Sequence, residues 1–296
     1  MATIVLLVYP LFALLLFRSL PFLHALVAVL IGGILLLPSN FSIEISGFPD
    51  IDRTLVTIGT VVLCALIYHG SYLEEARRAS SGPPAVLAGW LPREPVILAL
   101  LAAVVVGTLL TYLTNGAPTN IGWRPEDLRP ALALKDLAGM IFSLAPLAVF
   151  LVGRRYFFTP ESHRILLVTF VTAALVYTLP ALWEIRMSPR LHVQVYGFFP
   201  HNWIQVYREG WRPQVFMQHG LALAIFNTMA LLAALALWRS APQERKALYL
   251  VAAAWIGATL ALSNSLGALL ITMALVPVML FLSPRLQLLL AGAICM

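Results

Sequence analysis

Charged residues are scarce in this sequence. Only 11% of the 296 residues are charged, whereas 60% are hydrophobic and the mean hydropathy is +0.89. A soluble domain is roughly half apolar and about a quarter charged. The shortage excludes an ordinary soluble domain and favours a polytopic membrane protein. Because apolar stretches recur along the whole length, we expect a single transmembrane domain over residues 1–296.

Cysteine and metal-binding motifs are nearly absent. The two cysteines do not suggest a disulfide, since Cys64 lies inside an apolar stretch and Cys295 is the penultimate residue. Neither CxxC nor HExxH spacing occurs, so we expect no metal ion and no cofactor. The net charge is +6, but the basic residues lie between apolar segments. This pattern is typical of membrane loops that contact lipid headgroups, and nucleic acid is not an expected partner.

Apolar runs of helical length dominate what is present. None shows the alternating pattern of barrel strands, and each is near the roughly 20 residues that span a bilayer. The sequence predicts an all-α polytopic transmembrane helical bundle of about nine to ten membrane segments. The segments are about 2–17, 20–37, 54–72, 94–114, 136–152, 164–184, 212–238, 247–263 and 266–283, followed by a stub from 286.

The two ends of the chain also carry predictions. No basic region precedes the first apolar run, so we interpret it as a retained helix and not as a cleaved signal. The stub 286–296 would rise only about 16 Å as a helix, against a hydrocarbon core of roughly 30 Å. Either this helix is re-entrant or the chain is truncated at its C-terminus, and we favour truncation.

The distribution of Lys and Arg predicts an orientation. With the N-terminus outside, eleven of the 19 basic residues lie in inside loops and eight in outside loops. The positive-inside rule favours this arrangement. Half of the outside basic residues come from one loop and the residue after it: Arg186, Arg190, Arg208 and Arg212. Translocated loops usually avoid arginine, which makes this loop a candidate binding site.

The stretch WRPQVFMQHGLALAIF, residues 211–226, extends that candidate site. If residues 212–238 form one helix, Arg212 and His219 are seven positions apart and point to nearly the same face. Arginine forks suit phosphate oxygens, and a helix N-terminus also favours an anion. We therefore predict that Arg212 binds a lipid-linked diphosphate, with His219, Arg186 and Arg190 as supporting contacts.

A plainer interpretation stays open for the same residues. The arginines could contact ordinary headgroups or pair with Glu184 and Glu209, and His219 could satisfy a backbone group near a helix end. Ion-coupled transport is disfavoured, because such transporters carry ionisable residues at mid-membrane depth and these segments have almost none. Binding or chemistry is therefore expected at the outer interface.

Residues 212–282 resemble the core of the O-antigen ligase and O-antigen polymerase family. The resemblance rests on Arg212, on the following FMQHGLA stretch at 216–222, on the basic loop 239–246, and on Ser265-Leu266-Gly267 where the family has Ser-Arg-Gly. Leu266 thus replaces a family arginine. The family's large periplasmic loop with its catalytic histidine would lie beyond Met296.

The resemblance implies a metal-independent glycan transferase of the bacterial inner membrane. Such an enzyme moves a glycan from a polyprenyl-diphosphate carrier to an acceptor hydroxyl on the periplasmic side. The implied partners are the polyprenyl-diphosphate-linked glycan, membrane lipids and other polysaccharide-assembly proteins. Two alternatives are a non-catalytic carrier binder or flippase, and a component of a polysaccharide export complex.

Overall fold

The computed structural model describes residues 1–45, 50–79, 89–115, 119–120, 128–129, 134–200, 206–207 and 210–295. Within these ranges the chain is almost entirely helical. The helices are α1 Ala2–Ser19, α2 Phe22–Leu36, α3 Arg53–Ile67, α4 His69–Ala79, α5 Pro95–Thr114, α6 Leu134–Phe142, α7 Ala145–Tyr156, α8 Pro160–Met187, α9 Leu191–Tyr196, α10 Gly220–Ser240, α11 Gln243–Leu262, α12 Leu266–Phe281 and α13 Pro284–Cys295.

The strands are two residues long and form three antiparallel pairs. They are β1 Ser42–Ile43 with β2 Ile51–Asp52, β3 Thr119–Asn120 with β4 Leu128–Arg129, and β5 Val206–Tyr207 with β6 Gly210–Trp211. The first pair leads directly into α3. Asp52, the last residue of β2, is the N-cap of α3, and its side chain accepts the Leu55 N–H at 2.8 Å. Satisfying an otherwise unpaired N–H at a helix start is the usual function of an Asp N-cap.

Six helices of the described chain are long and apolar enough to cross a membrane. They are Ala2–Ser19, Pro95–Thr114, Asp136–Tyr156, Pro160–Met187, Gly220–Ser240 and Gln243–Leu262, of which Asp136–Tyr156 takes in most of α6 and all of α7. The pair α3 and α4, bent by 58°, makes a seventh if it is one span, and α2 and α12 are shorter apolar helices. The predicted all-α, multi-pass membrane protein is confirmed at this level, and the count of nine to ten segments stays a prediction.

The start of one predicted segment is wrong. Residues 212–219 are not helical, and α10 begins at Gly220 with His219 as its N-cap. Val215 has a φ of +53°, in the left-handed region that a β-branched residue rarely adopts and that is incompatible with a continuing helix. Arg212 and His219 therefore do not share a helix face.

The chain divides into two compact units. The first comprises Met1–Val5, Ile31–Asn40 and Thr159–Met296, and the second comprises Leu6–Leu30 and Phe41–Phe158. The expectation of a single transmembrane domain stays a prediction.

The second unit is organised around Tyr156, whose side chain is fully buried. Its hydroxyl donates to the Ala65 carbonyl of α3 at 3.2 Å and lies 3.0 Å from Nδ1 of His69. Arg155 can only donate, so its contact with His69 Nε2 at 3.3 Å makes that nitrogen the acceptor. The His69 proton is then on Nδ1 and is donated to Tyr156. This chain of hydrogen bonds fixes α7 against α3 and the start of α4.

The first unit has α10 at its centre, packed against α8, α11 and α12. Small buried residues on α10 allow close approach of these neighbours, among them Ala224, Ala230 and Ala234. At one end of this unit α8 and α11 finish and α10 and α12 begin.

Candidate functional site

The candidate site is that end of the first unit, and we call it the arginine end. It comprises the described parts of residues 35–40, 177–200, 210–220 and 262–266. The three predicted arginines of the described chain, Arg186, Arg190 and Arg212, all lie within it.

Glu184 anchors the arginine end from the last turn of α8. Its side chain is fully buried. One carboxylate oxygen accepts the Leu191 N–H at 3.0 Å, and the other accepts the N–H groups of Gln214 and Val215 at 2.8 and 2.7 Å. A buried carboxylate needs such donors, and three of them satisfy it without a basic partner. One side chain therefore joins the end of α8, the start of α9 and the segment before α10.

The three arginines lie close in sequence to Glu184 or to the backbone groups that it binds. Arg186 follows Glu184 by two residues, Arg190 directly precedes Leu191, and Arg212 precedes Gln214 by two residues. An arginine paired with Glu184, one part of the plainer interpretation, does not occur among the described residues, because backbone donors occupy that carboxylate. Glu209 and Arg208 lie outside the described residues.

Two tyrosines fix the same end to the last residues of α2. Tyr177 Oη donates to the Leu35 carbonyl at 2.8 Å and accepts the Phe216 N–H at 3.1 Å. Tyr196 Oη donates to the Leu36 carbonyl, and burial raises the pKa of this hydroxyl to about 12. The Tyr196 phenol therefore stays protonated at physiological pH and remains a donor.

His219 caps α10 and does not project along it. Its Nδ1 accepts the Leu221 N–H at 3.0 Å, which makes Nδ1 the unprotonated nitrogen of a neutral ring. This agrees with the plainer interpretation, in which the histidine satisfies a backbone group at a helix end. Its half-buried ring still lies at the arginine end.

Arg212, in the segment before α10, contacts the break between α11 and α12. Its Nε and Nη2 groups donate to the Asn264 carbonyl at 3.4 and 3.1 Å, and Asn264 Nδ2 donates back to the Trp211 carbonyl at 3.4 Å. Asn264 has a φ of +52°, a left-handed conformation that Asn tolerates better than most residues. Arg212 is half-buried, and its observed contacts hold the arginine end together.

Two glycines make room for the contact between residues 211–212 and Asn264. A Cβ on Gly220 would contact the Arg212 stem, with Cδ at 2.6 Å, and would lie 2.9 Å from the Pro213 carbonyl oxygen. A Cβ on Gly210 would collide with the Asn264 side-chain amide. The first turn of α10 can carry the Arg212 stem only because residue 220 has no side chain.

Arg186 and Arg190 differ from Arg212 in being exposed. Arg186 is in the last turn of α8 and Arg190 is the N-cap of α9. Neither side chain makes a hydrogen bond or ion pair within the part of the chain that the structure describes. Their guanidinium groups are therefore donors at the arginine end that a ligand can reach.

Glu184, Tyr177 and Asn264 organise the site, yet in the sequence Tyr177 and Asn264 do not stand out, and Glu184 stands out only as a possible arginine partner. The one available signal was an acidic residue at the end of a long apolar run, where a charge is costly unless it is paired or hydrogen-bonded. Among the described residues, no group of three or more His, Cys, Asp or Glu side chains could hold a metal ion.

Comparison with family models, with curated proteins and with solved structures finds no match for this chain. The resemblance to the ligase and polymerase family therefore rests on residues 212–282 alone.

Proposed function

We propose that the arginine end binds the diphosphate of a polyprenyl-diphosphate-linked glycan. The site would serve a membrane glycan transferase, of the ligase or polymerase type, at the periplasmic face of a bacterial inner membrane. The observation that carries the proposal is that two exposed arginines, Arg186 and Arg190, flank the point where the buried carboxylate of Glu184 binds the backbone of Leu191. Transfer to an acceptor hydroxyl is taken from the resemblance.

The chemistry of the site favours a phosphate ligand. A guanidinium group presents paired N–H donors that match phosphate oxygens, and charge-assisted bonds of this kind are about twice as strong as neutral ones. Glu184 forms no ion pair with an arginine in the described chain, and backbone N–H groups occupy both of its oxygens. Helices α8 and α10 end or begin at this surface, so a carrier lipid could keep its tail beside them while the diphosphate sits at headgroup depth.

The roles of the four predicted residues are thereby divided. Arg186 and Arg190 are the proposed direct contacts. Arg212 and His219 are proposed to position the segment 210–219, through Asn264 and through the first turn of α10. A direct ligand contact from Arg212 stays a prediction.

The test is binding of undecaprenyl diphosphate to purified protein in nanodiscs. Arg186→Gln and Arg190→Gln should each weaken binding by roughly 10- to 150-fold, the loss of one charge-assisted hydrogen bond of about 1.5–3 kcal/mol. Arg190→Lys should also weaken it, because lysine keeps the charge but not the fork. The matched control is Arg164→Gln, an exposed arginine at the other end of α8, which should bind like wild type.

The outcomes separate the alternatives. Equal losses at Arg164 and Arg190 would mean that the probe reads net charge, and the proposed site would fail. Normal binding by wild type without glycan transfer to an acceptor would favour a non-catalytic carrier binder or flippase. Normal binding by both arginine variants would make these residues ordinary headgroup contacts.

A further inference from the structure

A layer of polar side chains crosses the first unit below the arginine end. Thr178 lies six residues before Glu184 on α8, and Asn227 lies seven residues after the start of α10. Trp255 lies seven residues before the end of α11, and Thr272 six residues after the start of α12. At 1.5 Å per residue, these offsets correspond to about 9–10.5 Å along each helix, measured from Glu184 on α8 and from the helix end on α10, α11 and α12.

Most polar groups of this layer are paired. Trp255 Nε1 donates to Thr178 Oγ1 at 2.9 Å, and the hydroxyls of Thr228 and Thr272 are 2.8 Å apart. Asn227 is the exception. It is 1% exposed, and neither its amide nitrogen nor its amide oxygen has a hydrogen-bond partner within the described chain.

The neighbours of Asn227 on α10 show which way it faces. Phe226 packs on α8, with its ring 4.8 Å from that of Phe170. Leu231 lies against Gly257 of α11. Asn227 is one turn before Leu231 and about 100° from Phe226, so it faces the seam between α8 and α11. The hydrogen bond between Trp255 and Thr178 crosses that seam at the same depth.

The position of Trp255 links this seam to the lipid. Its side chain is 48% exposed, on the outside of α11, although its indole N–H points inward to Thr178. The hydrogen bond from Trp255 to Thr178 therefore lies between the exposed face of α11 and this seam. A molecule dissolved in the membrane could reach Asn227 by displacing it.

We propose that Asn227 binds the hydroxyl of a membrane-soluble long-chain alcohol that enters between α8 and α11. A ligand group here must be neutral, because the segments 170–181, 222–236, 248–260 and 267–280 that surround this depth contain no charged residue. It must also donate and accept, because both halves of the amide are unpaired. A hydroxyl does both, whereas an ester or ketone carbonyl only accepts.

The probe is a hexadecanol that carries a diazirine next to its hydroxyl-bearing carbon, photolysed with the protein in nanodiscs. Labelled peptides should map around Thr178, Asn227 and Trp255. The methyl ether of the same probe cannot donate, so its labelling there should be roughly two- to tenfold lower. Asn227→Leu should lower labelling by the alcohol at least as much. The matched control Thr172→Val, at an exposed position of α8, should leave labelling unchanged.

A melting curve keeps the test decisive. Because Asn227 has no partner to lose in the described chain, Asn227→Leu should melt at or above the wild-type temperature. A large fall would identify the amide as a structural group and overturn the proposal. Equal labelling by the ether, or undiminished labelling of Asn227→Leu, would also overturn it. Trp255→Phe removes the hydrogen bond to Thr178 that crosses the seam, so it should speed labelling. Unchanged or slower labelling would contradict entry between α8 and α11.

Discussion

Glu184 decides how the residues of the arginine end are arranged. A carboxylate removed from water is costly unless donors surround it, and here three backbone N–H groups from two separate segments do so. The contacts that stabilise the carboxylate also fix the positions of Leu191 and Val215. Arg186 and Arg190 can then remain exposed, since neither is needed to pair with the glutamate.

Replacing Glu184 by Gln should therefore destabilise the protein. One carboxylate oxygen would become an NH₂ group that faces a backbone donor, so at least one N–H loses its acceptor. We expect a loss of about 2–4 kcal/mol in the free energy of unfolding, measured by denaturation in detergent. Glu161→Gln, at the exposed other end of α8, is the matched control and should cost less than about 1 kcal/mol. Similar losses for both variants would show that Glu184 is not an anchor.

Individual site residues were only partly predictable from the sequence. The arginines stand out because translocated loops usually lack them, and the structure places Arg186, Arg190 and Arg212 at one end of one unit. The predicted common face of Arg212 and His219 is wrong. It assumed that the apolar run and Pro213 mark a helix start, whereas Glu184, 30 residues earlier, binds the backbone of the intervening turn. No local pattern reveals such a distant partner.

At the scale of elements, the six long apolar helices were predictable, because a helix that crosses a membrane needs a long apolar run. Boundaries were harder. The start of α10 depends on a histidine N-cap, which is not among the residues usually favoured there. It also depends on Gly220, which accommodates the Arg212 stem. The periodicity of apolar residues predicts neither the histidine N-cap nor the need for glycine at position 220.

A substitution at the start of α10 tests whether the packing of the Arg212 stem over Gly220 stabilises the protein. Gly220→Ala adds a methyl group that must displace the Arg212 stem and press on the Pro213 carbonyl oxygen, 2.9 Å away. Because backbone cannot shift cheaply there, we expect a loss of about 1–3 kcal/mol in stability. Binding of undecaprenyl diphosphate should fall as well.

Gly257→Ala is the matched control for that variant. Its Cβ would meet only the Leu231 methyl groups, at 3.8 and 3.9 Å, an ordinary contact. Since alanine is favoured over glycine inside a helix by roughly 0.5–1 kcal/mol, this variant should be neutral or more stable. If Gly220→Ala behaves the same way in thermal melts, the packing of Arg212 over α10 is not a constraint.

At the scale of the whole molecule, the two ends of the first unit differ slightly in their number of basic residues. The sequence from the end of α8 to the start of α10 holds four, Arg186, Arg190, Arg208 and Arg212. The opposite end carries five: Arg164, Arg239, Arg245, Lys246 and Arg285. Arg239 also donates to the Met279 and Leu282 carbonyls, which fixes the last turn of α10 to the end of α12. The positive-inside rule therefore favours a cytoplasmic position for the opposite end.

This orientation predicts where introduced cysteines react. Gln194 on α9 and Gln243 at the start of α11 are both exposed and lie at opposite ends of the first unit. In a variant with Cys64 and Cys295 replaced by alanine, Gln194→Cys should react with an impermeant maleimide on intact cells. Gln243→Cys should react only after permeabilisation, which also serves as the control for its reactivity. Labelling of intact cells at Gln243→Cys alone would reverse the orientation. The arginines would then face the cytoplasm, where the proposed transfer to a periplasmic acceptor could not occur.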